Sequence, residues 1–188
     1  MKLVLSIGPN VEPVEVEDFV THSRITVANE PDYAYLRGLL KAGRQEVENA
    51  SWSALISQTW EQYFDAFADP LVLDMQPVLS ITSITYTDTD EATQTLATSV
   101  YELGEDNGKG IVRLKYSQTW PATLGYEDVV KVTFKAGYGT TPEDVPEHLK
   151  SAIRIYAAHY YEHREGEKDL PEAFFRLLDG NTFHGVPA

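Results

Sequence analysis

The sequence predicts an α+β protein, a small helical domain with an inserted antiparallel β lobe. Three observations carry that prediction. Apolar residues recur at helical spacing towards both ends, apolar and polar residues alternate in the middle, and no internal repeat or low-complexity tract breaks the order helices, strands, helices. The boundaries that follow are 1–52 and 137–188 for the helical domain and 53–136 for the lobe.

Met1 to Pro9 holds a five-residue apolar core before Gly8-Pro9, shorter than the roughly 7 to 15 residues of a secretion signal, so none is expected there. Pro13 to Arg24 reads as a first helix. Pro sits at its start, Glu15, Glu17 and Asp18 face the positive end of the dipole, and Val16, Phe19 and Val20 make an apolar face. A second helix follows Pro31-Asp32, with Leu36, Leu39, Leu40, Gly43, Val47 and Ala50 at helical spacing.

The middle of the chain is strand-like. Val112, Leu114 and Tyr116 alternate with Arg113 and Lys115, and Val130, Val132 and Phe134 alternate with Lys131, Thr133 and Lys135. Leu71 to Leu73, Leu79 to Tyr86 and Ser99 to Leu103 are further strands, with a bulge expected between Ile81 and Ile84, where the apolar phase slips. Asn107-Gly108 marks a tight turn. Ile56, Trp60, Tyr63, Phe64 and Phe67 fit a helix stripe, yet several of these residues favour strands, and the pattern alone leaves both readings open. Beyond the lobe, Pro146 opens a helix with the stripe Leu149, Ile153, Tyr156, Ala157 and Tyr160. Pro171 opens another with Phe174, Phe175, Leu177 and Leu178.

Composition removes several functions. There is no Cys among 188 residues, which excludes disulfides, thiolate zinc sites and a Cys nucleophile. The formal charge of -14 argues against a protein that grips duplex DNA, since such a protein must supply Lys and Arg to replace condensed counterions. The most apolar late stretch, Ala152 to Tyr161, is half the roughly 20 residues of a membrane crossing, so no membrane role is expected. The charge is uneven. Residues 45–108 carry twelve acids and no Lys or Arg, and residues 109–135 carry five bases against two acids.

His159-Tyr160-Tyr161-Glu162-His163 matches the H-x-x-E-H pattern of zinc proteases on a helix, which makes a metal-dependent hydrolase the alternative function. A third ligand and a cleft would have to come from the 25 residues that remain, and histidines near a helix carboxyl end favour the dipole without any metal. Asp88-Thr89-Asp90-Glu91 begins like a calcium loop but continues Ala92-Thr93, where an oxygen ligand and Gly are required, and so reads as a solvated hairpin turn. Ala136-Gly137-Tyr138-Gly139 lacks the third Gly and the helix of a dinucleotide fingerprint. No G-x-S-x-G elbow is present, and His22, His148 and His184 have no identifiable Ser or Asp partner. Neither an enzyme nor a cofactor or metal site is expected.

Several strings, in order and spacing over roughly residues 13 to 165, resemble the head-tail connector family of long-tailed bacteriophages, also called adaptor or head-completion proteins. They are Pro13 to Asp18, Ile56 to Glu61, Pro77-Val78 leading into Ile81 to Tyr86, and Val100 to Leu103. Gln118-Thr119-Trp120-Pro121, Val132 to Gly139, and Val145-Pro146 through Ala152 to Glu162 complete the series. Glu91-Ala92 stands where that family suggests Gly in a hairpin, and residues 1 to 12 and the tail after Leu178 carry nothing distinctive.

The resemblance implies a strand over Ser57 to Phe67. It also implies a structural ring in the virion neck, commonly of twelve copies and made in the host cytoplasm. Such a ring lies between the portal protein and a head-closure (stopper) or tail-completion protein, and DNA passes through it unbound. Three physical expectations attach to that role. Acids such as Asp88, Asp90, Glu91, Glu105 and Asp106 would line or rim the channel and keep phosphate from sticking. Lys131 and Lys135 would meet the acidic block of the next subunit. Phe174, Phe175, Leu177, Leu178 and Phe183 would dock the portal.

Overall fold

The computed structural model describes residues 2–24, 30–163 and 169–179. The chain divides into two compact units, one of residues 1–8 and 57–137 and one of residues 9–56 and 138–188. The fold class is α+β. The unit boundaries differ from the sequence reading at three places, since residues 1–8 and Gly137 join the strands and residues 53–56 join the helices.

The helical unit holds α1 (Val16–Ser23), α2 (Glu30–Ser51), α3 (Glu147–Glu162) and α4 (Glu172–Leu178). Glu17 and Asp18 lie in the first turn of α1, which ends at Arg24 in the left-handed conformation with its N–H bonded to the Val20 carbonyl. The apolar stripes meet in one core containing Phe19, Leu36, Leu40, Val47, Leu149, Ile153, Ala157, Phe174 and Leu178. Leu55 and Ile56 complete it, which is why residues 53–56 fold with the helices and not with the strand that follows them. The α2 and α3 backbones approach closely at Gly43. A Cβ there would sit 3.1 Å from the Tyr156 ring and 3.2 Å from the Ile153 carbonyl.

A buried ion network ties the start of this unit to α2. Arg44 donates from Nε to Glu12 Oε2 at 2.7 Å and from Nη1 to Glu48, whose other oxygen accepts the Leu55 N–H at 3.0 Å. The side chains of Arg44 and Glu48 are 5% and 8% exposed. Burial pulls the Arg44 guanidinium down, and the charges and hydrogen bonds of Glu48 and Glu12 outweigh it, so the group stays above its ordinary value.

The β unit holds two antiparallel sheets. The larger runs β1-β2-β8-β4-β5, from β1 (Lys2–Ile7), β2 (Gln58–Phe64), β8 (Val130–Ala136), β4 (Val78–Thr87) and β5 (Thr93–Thr95). The smaller runs β3-β7-β6, from β3 (Leu71–Val72), β7 (Lys109–Leu114) and β6 (Tyr101–Asp106). The segment that pattern left open is strand β2, and the slip between Ile81 and Ile84 is a register shift at Ile81/Ser83. Asn107 (φ 50°) and Gly108 (φ 79°) close the β6–β7 hairpin with positive φ at both central positions. Glu91, where Gly was expected, takes φ 63° in the β4–β5 turn.

Side chains alternate across the larger sheet. Val130, Val132, Phe134 and Ala136 of β8 are buried, as are Gln62 of β2 and Ile84 of β4 on the same face. Two buried glutamines serve as polar staples in this unit. Gln62 donates to the Val72 carbonyl (3.1 Å) and Asp74 Oδ2 (3.0 Å) and accepts the Asp74 N–H (2.9 Å). Gln76 donates to the Leu73 carbonyl at 2.6 Å and accepts the Gly110 N–H at 2.9 Å. Gly110 is obligatory, because a Cβ there would lie 2.4 Å from Val78 Cγ2.

Candidate functional site

The candidate functional features among the described residues are surfaces. The register of the larger sheet sorts the acids. Phe64 is opposite Val130 and Val130 is opposite Tyr86, so the segments leaving β2 and β4 and entering β8 share one end of the sheet. Asp65, Asp88, Asp90, Glu91, Glu127 and Asp128 all belong to those segments. The Asp128 N–H donates to Asp65 at 3.0 Å. Asp88 organises the β4–β5 turn, accepting from Gln94 Nε2 (2.8 Å) and from the N–H groups of Ala92 (3.0 Å) and Asp90 (2.9 Å). The Gln94 amide and those N–H groups hold the Asp88 carboxyl below the usual carboxylate range, so it stays charged. Asp90 and Glu91 are exposed at the tip.

Glu105 and Asp106 are elsewhere. They end β6 opposite Gly110 and Lys109, and Gly110 packs on Val78 at the start of β4. The ten residues of β4 span roughly 30 Å at about 3.3 Å per residue. The five acids grouped from sequence therefore fall at opposite ends of the strand. The three from the β4–β5 turn are joined instead by Asp65, Glu127 and Asp128. Of these, Glu127 and Asp128 lie inside the basic stretch of the sequence, and nothing in linear charge could have assigned them to the acidic tip.

The outer face of the larger sheet carries rows in which polar and cationic side chains predominate, with Ile7 and Tyr63 among them. One row runs Ile7, Thr59, Lys135, Ser80, and another runs Lys2, Tyr63, Lys131, Thr85, Thr95. Lys131 Nζ reaches Glu61 at 3.4 Å within the same chain, so it is already partnered. Lys135 is exposed and has no ion pair among the described residues.

The apolar carboxyl-terminal set also separates. Phe174 (0% exposed) and Leu178 (3%) are core residues of the helical unit, which removes them from any docking surface. Leu177 packs partly against that core, Phe175 is 51% exposed, and Phe183 lies outside the described residues. An α4 of seven residues must turn one face inward to be held at all, and Phe174 and Leu178, four apart, are that face.

The H-x-x-E-H residues lie at the end of α3. The rings of His159 and His163 are 4.8 Å apart at their centroids, on one helix face as the spacing predicts. His163 Nδ1 lies 3.0 Å from the His159 carbonyl oxygen, and His159 is buried edge-on to Tyr160. Glu162 is exposed. Among the described residues, no three His, Asp or Glu side chains converge where an ion could be held. No helix among them is long and apolar enough to cross a membrane.

The class defined by this arrangement is an α+β protein with a two-sheet β unit, a helical unit and charged strand ends. No protein-family model and no curated protein matches the chain. Solved structures do match in fold. A chain from the neck of an empty gene transfer agent (GTA) particle, computed with C6 symmetry, is similar at a TM-score of 0.83 and 22% identity, covering 100% of this chain and 98% of that one. A chain from the virion of a native GTA particle gives 0.82 at 23% identity, and one from the neck of a native GTA particle, computed with C12 symmetry, gives 0.80 at 23%, with the same coverage. This protein has the fold of those particle components over its whole length.

Proposed function

We propose that the chain is a structural subunit of the neck of a phage-like or gene-transfer particle, without catalytic activity. It works as a closed ring, of twelve copies in the assembled particle, between the portal and a head-closure or tail-completion protein. The observation that carries this reading is the fold likeness, over 100% of this chain and 98% of those chains, to components of necks computed with C6 and C12 symmetry. The acidic tip of Asp65, Asp88, Asp90, Glu91, Glu127 and Asp128 supports a surface turned towards the DNA path, where like charge keeps phosphate from adhering. Glu105 and Asp106, at the other end of β4, are not part of that surface. Of the two lysines expected at the subunit contact, Lys135 is the one without an ion pair among the described residues, and of the aromatics expected at the portal, Phe175 is the exposed one among them.

A reconstruction of the ring assembled on its portal tests all of this together. Twelve copies with the β4–β5 turns on the inner wall are expected. A chain that stays monomeric with and without portal would defeat the ring reading, and tips on the outer wall would defeat the channel role alone.

A further inference from the structure

Four strands of the β unit lie at sheet edges, β1 and β5 of the larger sheet and β3 and β6 of the smaller, and of these β1 and β6 are the longest and have the same length. β1 (Lys2–Ile7) is an outermost strand of the larger sheet, and β6 (Tyr101–Asp106) is an outermost strand of the smaller one; each has six residues. No backbone hydrogen bond among the described residues reaches the outer side of either. Such edges are ordinarily blunted by Pro, by inward charges or by shortness, as β5 is with its three polar residues. β1 is not blunted. Leu5 and Ile7 are 44% and 64% exposed, and the strand carries Lys2 and no acid. β6 is its complement, with Glu102, Glu105 and Asp106, the small Gly104, and Leu103 exposed at 37%.

We propose that β1 of one copy pairs antiparallel with β6 of the next, so that each ring interface is a β ladder joining two different edges. This rests on the ring reading above. A closed ring needs a heterologous contact, in which two unlike patches of the same chain meet, and these unlike edges meet that condition. Pairing the six residues end to end sets Lys2 against Asp106, Val4 against Gly104 and Leu5 against Leu103. The charges are opposite, the one Gly of β6 faces a β-branched residue, and the exposed leucines cover each other. The faces also agree. Leu5 pairs with Trp60 and Leu103 pairs with the fully buried Val112, so both leucines belong to the face of their sheet that turns towards the core. Lys2 lies over the Tyr63 ring, 4.9 Å from its centroid, which steadies the cation at the edge.

The absence of Cys from these 188 residues gives a clean test. A Leu5→Cys/Leu103→Cys chain, assembled and mildly oxidised, is expected to yield a covalent ladder up to the full ring, because directly opposed strand residues bring Cβ atoms to about 4.5–5.5 Å, just beyond the usual disulfide separation. A mixture of the two single variants should stop at dimers. Both sites are exposed, and an unchanged melting curve controls for folding. Lys2→Asp and Asp106→Lys should each weaken assembly roughly two- to fivefold, and the double swap should restore it. Rings that form by native mass without a ladder, and without rescue by the swap, overturn this interface and leave the ring reading standing. A chain that neither assembles nor cross-links overturns both.

Discussion

The two units solve the problem of buried polarity in different ways. The helical unit buries full charges, with Arg44 held between Glu12 and Glu48. The β unit buries neutral amides, Gln62 and Gln76, each bonded to backbone on both sides. The difference follows from what each must tie down. An irregular segment leading into a helix presents scattered donors and acceptors that a long, forked guanidinium can gather, whereas two sheets expose regularly spaced N–H and C=O groups that fit the paired donor and acceptor of a glutamine.

That contrast can be broken from either side. Arg44→Ala strands Glu48 as an uncompensated buried charge and is expected to cost about 3–5 kcal/mol, read as a large fall in the denaturation midpoint reported by helix signals. Gln62→Leu removes one buried amide, leaving the Asp74 N–H and the Val72 carbonyl unpaired, and is expected to cost about 1–3 kcal/mol in urea unfolding. If the two losses proved equal, the distinction between ionic and neutral staples would carry no energetic weight.

The smallest effect is one of pH. Burial holds the Asp74 carboxyl above its ordinary value, against the pull of Lys109. The folded state then binds a proton more readily than the unfolded chain, so stability falls as pH rises through the interval between the ordinary carboxylate value and the raised one. Asp74→Asn should flatten that slope in melting curves taken across the acid range and be slightly stabilising at neutral pH. A slope unchanged by the substitution would assign it to other carboxylates.

Elements with a strong periodic face were legible in the sequence. The stripes of α2 and α3 and the alternation of β8 report burial on one side only, which is the physical origin of the pattern. β1 was not legible, because a strand at the edge exposes residues on both faces and so keeps no alternation; its burial is nearly uniform. β5 was missed for the same reason, being three exposed polar residues. The family likeness resolved β2, where Trp60 and Tyr63 satisfy either period. Charge was the least legible property. Asp88 and Asp106 are close in sequence and belong to opposite ends of a strand, while Asp65 and Asp128 are distant in sequence and hydrogen-bonded.

The order of the larger sheet also bears on how the chain is made. β8, its last strand in sequence, occupies the centre between β2 and β4, and the Lys131–Glu61 pair spans 70 residues. During synthesis no partial version of this sheet can close, because its middle is missing until residue 136 has left the ribosome. Once made, β2 must wait, unpaired on one side, while the 72 residues from Asp65 to Ala136 are added. The central strand thus acts as a keystone set last, and a truncated product ending before it would present open strand edges to its neighbours, so premature termination should yield aggregates instead of smaller folded domains.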